Sequence, residues 1–202
     1  MDGPARQKIG LRSAALNRRL AMTSEERIRA GRLLAAALAP AVRSAERIAA
    51  YVSTGSEPET AGLLALRDDV LLPVLLPDGD LDWAVGGTLM AAGRGLLEPT
   101  GTRLGVHAVA TCDLILVPAL AVDRRGARLG RGGGSYDRAL ARSTGLSVAL
   151  LYDEEVVECL PTQPHDLPVG AVVTPSGGLR RLPAPSGGPG QPAGPAPGDR
   201  PC

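Results

Sequence analysis

The chain has 202 residues, a formal net charge of +1 and 44% hydrophobic residues, which suits one α/β domain with a buried core. It has one Trp, three Tyr and no Phe, and no basic stripe is interleaved with aromatics, so composition argues against a nucleic-acid-binding surface. No apolar run is long enough to span a bilayer, and the three cysteines lack metal-ligand spacing. We therefore expect a cytoplasmic monomer with no nucleic-acid or membrane partner.

The first half of the chain predicts two helices followed by short strands. Apolar residues at helical spacing predict a helix over residues 5–21. Thr23 and Glu26 fit a capping box, so a second helix begins there and is expected to end near residue 38, before Pro40. The further elements are a strand over 47–52 (RIAAYV), a short helix over 59–66, a strand over 70–76 with Pro73 at an edge or irregularity, and a strand over 81–85. The glycine-rich residues 86–105 predict no element.

The second half alternates strands and helices. Residues 113–118 (DLILVP) form the clearest buried strand, and ALAVDRRGARLG predicts a loop or short hairpin turning at Arg125 and Gly126. A helix over 135–142, a strand over 147–152 and a last strand over 170–174 follow. This alternation predicts an α/β fold with a mostly parallel sheet covered on both faces. We expect one domain over residues 1–182 and a disordered Pro/Gly-rich tail over 183–202.

A glycine-rich segment, GRGGGSYDRAL from Gly130, lies between the DLILVP strand and a predicted helix. Ligands of open α/β sheets bind beyond the carboxyl ends of the strands. Glycine lets backbone N–H groups converge on one point, a helix start adds free amides, and Arg128 and Arg131 can donate to phosphate oxygens. From its residues alone, the segment is either a phosphate-binding turn or a flexible surface loop. The missing GK[ST] excludes a Walker loop.

The charged residues outside the glycines have two interpretations each. Asp137, in the first helical turn, either complements the helix dipole or holds Mg²⁺ beside bound phosphates. Asp166 is typical of a turn or cap residue, with a metal ligand as the less favoured alternative, and Glu57 is typical of either a solvated loop or a ligand contact. The basic residues of the first helix, including Lys8 and Arg19, favour a solvated face.

Five stretches of the sequence, in order, resemble the 5-formyltetrahydrofolate cyclo-ligase family. The longest, VPALAVDRRGARLGRGGGSYDRAL, is similar to the family pattern VPGxAFDxxGxRLGxGGGYYDRxL. The others are K-x-x-x-R at Lys8 and Arg12, S-x-x-x-E-x-E-T over residues 53–60, Glu98-Pro99, and LPxxxHD ending at Asp166. The resemblance spans residues 8–174.

The resemblance implies a Rossmann-like three-layer α/β/α sandwich. It also implies an enzyme that uses MgATP to convert 5-formyltetrahydrofolate into 5,10-methenyltetrahydrofolate, with release of ADP and phosphate. The implied ATP-binding residues are Lys8, Arg12, Arg128, Leu129, Gly130, Arg131, Gly132, Gly133, Gly134, Ser135 and Tyr136, of which Arg131 and Tyr136 are implied to be catalytic. Asp137 and Asp166 are the implied Mg²⁺ ligands. Val52, Glu57 and Ser135 are implied to contact the reduced folate.

Three positions depart from the family pattern: Ser135 stands for its first motif tyrosine, Val122 for its phenylalanine, and Arg94 for an aromatic expected before Glu98. Two of these positions, 135 and 94, would lose a ring that can stack on folate, and each such ring contributes about 0.5–1.5 kcal/mol. Two alternatives therefore stay open beside the cyclo-ligase. One is a divergent ATP-using paralogue that acts on another formamide or amide, and the other is a non-catalytic nucleotide- or folate-binding module.

Overall fold

The computed structural model describes residues 3–183, and four α-helices lie in this range. They are α1 Pro4–Ala21, α2 Ser24–Ser44, α3 Ala61–Leu64 and α4 Ser135–Leu140. The expected capping box begins α2. The Thr23 hydroxyl accepts a hydrogen bond from the Glu26 amide at 3.2 Å, and the Glu26 carboxylate accepts one from the Thr23 amide at 2.7 Å.

The second helix does not end before Pro40, as the sequence predicted, but continues through it to Ser44. A proline inside a helix removes one backbone hydrogen bond and crowds the preceding turn. Leu34, Leu38 and Val42 nevertheless lie on one face of α2, and all three are fully buried in the same hydrophobic cluster. Packing of this face therefore outweighs the local cost of the proline.

Thirteen strands, most of them short, lie within residues 3–183. They are β1 Ile48–Ala49, β2 Leu72–Leu75, β3 Leu81–Val85, β4 Leu89–Ala91, β5 Leu97–Pro99, β6 Thr102–Arg103, β7 Leu114–Pro118, β8 Ala121–Asp123, β9 Arg128–Leu129, β10 Leu146–Leu150, β11 Val156–Val157, β12 Ala171–Thr174 and β13 Gly178–Arg181.

A five-stranded sheet in the order β1-β7-β10-β12-β13 forms the centre of the fold. Its first four strands are parallel, and only β13 runs antiparallel to its neighbour, which confirms a mixed α/β fold with a mostly parallel central sheet. The sequence predicted no strand after β12, which is wrong because β13 follows it. Most of β13 is exposed at the edge of the sheet, so no buried apolar pattern indicated it.

The central sheet is covered on both faces. Leu114 and Leu116 of β7 pack in the cluster that contains the buried face of α2. Ile115 and Val117, which point the other way, pack in a second cluster with Trp83. This alternation follows from the two-residue repeat of a strand.

Small sheets in the orders β11-β8-β9 and β2-β3-β6, and the pair β4-β5, surround the central sheet. The hairpin predicted at Arg125 and Gly126 is confirmed, since β8 and β9 are antiparallel and Gly126 has a φ of 89°. Strand β2, which contains Pro73, lies at an edge as expected. Residues 86–105, which predicted no element, contain β4 to β6.

No helix in the described part of the chain is long and apolar enough to cross a membrane. The predicted tail lies outside the described residues from position 184 onward.

Candidate active site

A cavity of about 430 Å³ lies beside the carboxyl ends of two central strands. Tyr51 and Val52, which follow β1, line it together with Pro118 at the end of β7. Part of the wall is apolar, with Leu75 and Leu81 of the β2-β3 sheet among its residues. The cavity therefore occupies the position where open α/β sheets bind ligands.

All but one of the predicted ligand-binding residues line this cavity. They are Lys8, Arg12, Val52, Glu57, Arg128, Gly130, Arg131, Gly132, Gly133, Gly134, Ser135, Tyr136, Asp137 and Asp166. The exception is Leu129, whose side chain is 2% exposed and packs with Ala15, Leu120 and Leu160 in a separate cluster. Leu129 thus supports the loop from the core and does not face the cavity.

The backbone conformation of the glycine segment requires glycine at several positions. Gly132 and Gly134 have φ angles of 101° and 69°, in the region that favours glycine. A Cβ at Gly130 would lie 2.6 Å from Nη1 of Arg128, too close for a side chain unless the guanidinium moved. The segment is therefore a shaped turn against Arg128, which argues against an unstructured surface loop.

Helix α1 presents a polar stripe to the cavity. Lys8, Arg12, Ala15 and Arg19 follow each other at intervals of four, three and four residues, which places them on one helix face. Lys8 is 5% exposed and Arg19 1%, so the solvated face expected from the sequence is wrong for these two. Nε of Arg12 donates to the carbonyl of Gly130 at 2.9 Å, which ties α1 to the glycine segment.

Three ion pairs join cations and anions around the cavity. Lys8 pairs with Asp166, Nη2 of Arg128 lies 2.8 Å from Oδ1 of Asp137, and Nη2 of Arg131 lies 3.3 Å from Oε1 of Glu57. In each pair, a base predicted to contact ATP meets an acid predicted to contact metal or folate. A ligand that binds one of these side chains must therefore displace the side chain with which it is paired.

Two titratable side chains of the cavity, Asp166 and Tyr136, have pKa values shifted in opposite directions. Burial alone would raise the pKa of Asp166, but hydrogen bonds from Lys8 and the Gln163 amide outweigh it and lower that pKa. Burial raises the pKa of Tyr136 far above the neutral range, and the negative charge of Glu57 adds to this. At neutral pH the cavity thus contains an ionised Asp166 and a neutral Tyr136 phenol.

The acids of the cavity fit a metal that arrives with phosphate. Within residues 3–183, no group of three His, Cys, Asp or Glu side chains forms a cage for a metal ion. Mg²⁺, however, is usually held by one or two carboxylates, several waters and substrate phosphates. Asp137 and Asp166, which line the same cavity as the glycine segment, match that mode of binding.

The three departures from the family pattern differ in position. Ser135 lines the cavity wall. Its hydroxyl donates to the carbonyl of Gly79 at 2.6 Å and so links the start of α4 to the turn between β2 and β3. Val122 is fully buried in the core and does not line the cavity. The structure does not describe the side chain of Arg94.

Several lining residues were not predicted from the sequence to bind a ligand, among them Arg19, Tyr51 and His165. The guanidinium of Arg19 donates to both carboxylate oxygens of Glu155, at 2.6 and 2.8 Å, and also to the carbonyl of Ala119. Its helical spacing from Lys8 and Arg12 was an available signal. No sequence signal indicated Tyr51, apart from its place at the end of a predicted buried strand.

Fold and site together define an α/β protein with a shaped glycine turn, basic side chains and an apolar wall around one cavity at the carboxyl edge of its sheet. Residues 4–175 match the 5-formyltetrahydrofolate cyclo-ligase family. The chain belongs to this family, as its motifs indicated.

Individual relatives agree with this assignment. A 5-formyltetrahydrofolate cyclo-ligase of Mycolicibacterium smegmatis is 40% identical over 190 residues, which cover 88% of this chain and 98% of the relative. One from Escherichia coli strain K12 is 32% identical over 178 residues, covering 79% of this chain and 95% of the relative. The NMR structure of Aquifex aeolicus 5,10-methenyltetrahydrofolate synthetase superposes with a TM-score of 0.75 at 29% identity, covering 92% of this chain and 96% of that one.

Proposed function

We propose that the protein is an ATP-dependent ligase that converts 5-formyltetrahydrofolate into 5,10-methenyltetrahydrofolate and releases ADP and phosphate. The observation that carries the proposal is one cavity lined by two unlike sets of residues. The basic side chains of Lys8, Arg12 and Arg131 and the glycines of the glycine segment line it, and so do Leu75 and Leu81 of the β2-β3 sheet. Such a cavity suits a triphosphate next to a flat ring system that packs its faces on apolar side chains and offers polar atoms at its edge. Membership of the cyclo-ligase family supports the same reaction.

The chemistry needs positioning more than covalent help from the protein. The formyl oxygen attacks the γ-phosphorus, the bond to ADP breaks, and the formyl oxygen becomes part of a phosphate leaving group. N10 of the folate then attacks the formyl carbon and loses its proton, and the carbon–oxygen bond to phosphate breaks.

The residues of the glycine segment and of α1 supply the nucleotide side of this site. The backbone of residues 130–134 and the side chains of Lys8, Arg12 and Arg128 bind the phosphates. Arg131 stabilises the negative charge of the phosphoryl group in transfer, which is the kind of interaction that lowers a barrier most. The phenol of Tyr136 stays neutral and donates a hydrogen bond to the reacting group.

Folate binds on the side of Glu57, with contacts from Val52 and Ser135. The carboxylate of Glu57 accepts hydrogen bonds only, so it suits N–H groups of the folate ring. Its side chain is 9% exposed and pairs with Arg131, which joins the folate and nucleotide sides of the cavity.

Mg²⁺ accompanies ATP in this proposal, held by Asp137 and Asp166. Bound there, it would neutralise charge on the phosphate oxygens. Lys8 and Arg128, which pair with these carboxylates in the free protein, then contact phosphate oxygens.

We further propose that the fold is a Rossmann-like three-layer α/β/α sandwich formed by residues 1–182, which works as a cytoplasmic monomer without a nucleic-acid or membrane partner. Support for the layers comes from the central sheet, which has α2 in the cluster on one face and Ala139 of α4 in the cluster on the other.

The direct test follows the absorbance of 5,10-methenyltetrahydrofolate as it appears from 5-formyltetrahydrofolate in the presence of ATP and Mg²⁺. We expect product at a rate proportional to enzyme and no product when ATP is omitted. If ATP binds but no product forms at high enzyme concentration, the assignment is wrong, and an ATP-using relative acting on another amide takes its place.

A further inference from the structure

Two tyrosines that line the cavity have buried hydroxyls without a partner in the described protein. Tyr51 follows β1 and Tyr136 lies in α4, and both residues line the cavity. Both hydroxyls are buried and make no hydrogen bond to any part of residues 3–183. The third tyrosine, Tyr152, does not line this cavity, and its hydroxyl donates to the carbonyl of Ser56 at 3.4 Å.

An unpaired buried hydroxyl destabilises a protein, and native structures rarely retain one. Tyr51 is 3% exposed, so its hydroxyl has lost its contact with bulk water. A phenylalanine would fill the same space without this cost. The position of both unpaired phenols at one cavity indicates that a ligand supplies the missing partner.

The surroundings of Tyr51 favour a neutral polar atom as that partner. Burial, and then the nearby charge of Glu57, raise the pKa of Tyr51 well above its usual range, so the phenol stays protonated. The other close charge, Arg19, is already paired through two hydrogen bonds with Glu155. This part of the cavity is therefore not a second phosphate site.

We infer that Tyr51 is a further substrate-contacting residue, whose hydroxyl hydrogen-bonds to a polar atom of the folate ring system beside Glu57. The inference rests on the proposed function. A phenol can donate to a ring carbonyl or ring nitrogen, whereas the Glu57 carboxylate can only accept from N–H groups. Tyr51 thus complements Glu57, and the two together distinguish donors from acceptors along one edge of the ring.

The test is Tyr51→Phe, which removes the hydroxyl and leaves the ring. We expect the KM and the dissociation constant for 5-formyltetrahydrofolate to rise about 3- to 12-fold, as for one lost hydrogen bond. The KM for ATP should not change. In the free protein the melting temperature should rise by about 2–4 °C, because an unpaired buried hydroxyl is gone. A tyrosine with only a structural role would not raise the melting temperature and weaken folate binding at once.

Tyr152→Phe is the matched control, since it removes a hydroxyl that has a protein partner outside this cavity. It should lower the melting temperature slightly or leave it unchanged, with folate KM as in the wild type. Wild-type folate KM in Tyr51→Phe, or an equal rise in the ATP KM, would overturn the role of Tyr51. Absence of product from the wild-type enzyme would instead reject the proposed function, so the two failures are distinguishable.

Discussion

Two groups of polar side chains around the cavity, the ion-paired charges and the tyrosine hydroxyls, differ in how they are satisfied before any ligand binds. Lys8 and Arg128, which we propose contact the nucleotide, are paired with Asp166 and Asp137. The hydroxyls of the lining residues Tyr51 and Tyr136, in contrast, have no partner within residues 3–183. A ligand that binds Lys8 or Arg128 must therefore displace an existing partner, whereas a ligand that bonds to one of these tyrosine hydroxyls adds a new contact.

This difference predicts how substitutions act. A change to a paired charge leaves its partner buried without compensation, so it disturbs the free protein as well as the reaction. A change on the folate side acts mainly on one substrate. Variants that separate these two outcomes test the comparison.

The largest effect is expected from Asp137→Asn. This change removes the carboxylate that pairs with Arg128 and that we propose as a Mg²⁺ ligand, so kcat/KM for ATP should fall by about 100-fold or more. Product absorbance at a series of Mg²⁺ concentrations measures the loss. As a control, Glu158→Gln breaks an exposed pair with Arg124 at 2.9 Å and should leave the rate unchanged. Wild-type kinetics at limiting Mg²⁺ would remove Asp137 from the proposed ligands.

A smaller effect, of opposite sign, is expected from Ser135→Tyr. Restoring the family's ring on the folate side should lower the folate KM by about 2- to 12-fold, the value of one stacking contact. Ser135→Ala is the matched control, because it loses the hydrogen bond to Gly79 without gaining a ring. If the two variants have the same folate KM, another group already fills the place of the ring.

The Glu57–Arg131 pair links the two sides, and Arg131→Met tests that link. In the wild type, a bound ATP analogue should draw Arg131 away from Glu57 and tighten folate binding by about 2- to 5-fold, the value of a partly exposed ion pair. Calorimetry of folate binding with and without the analogue measures this coupling. Arg131→Met should abolish it. Coupling that survives in the variant would show that another contact connects the two substrates.

The smallest effect is expected from truncation after Leu182. Residues 183–202 are rich in proline and glycine and offer few apolar side chains to a core, so turnover and melting temperature should stay nearly unchanged. The same absorbance assay and a thermal melt measure both. A large loss in either would show that the tail contributes to the folded enzyme.

The elements that the sequence predicted well are those with strong local signals. The capping box at Thr23 and the buried run in β7 depend on neighbouring residues alone. Pro40 was misjudged because the face of α2 that crosses it is held by packing with distant strands. Strand β13 was missed because an exposed edge strand has no apolar pattern.

The same distinction applies to the site. The glycine segment is contiguous, so its motif could be recognised and placed after a strand. Arg19 was misjudged because its burial depends on Glu155, 136 residues further along the chain. Leu129 was assigned to ATP by its position in the motif, yet strand alternation turns its side chain into the core.

The bond between Arg12 and Gly130 joins residues 118 positions apart, and the Lys8–Asp166 pair spans 158. The proposed nucleotide site is therefore assembled from the first helix and from residues 130 to 166, which lie far along the chain. During synthesis, α1 is made long before Gly130 and Asp166. Lys8 and Arg12 therefore stay exposed to water until these partners have been synthesised. The proposed ATP site can therefore form only after residues 130 to 166 have been synthesised, by which point β1, β7 and β10 of the central sheet are also present.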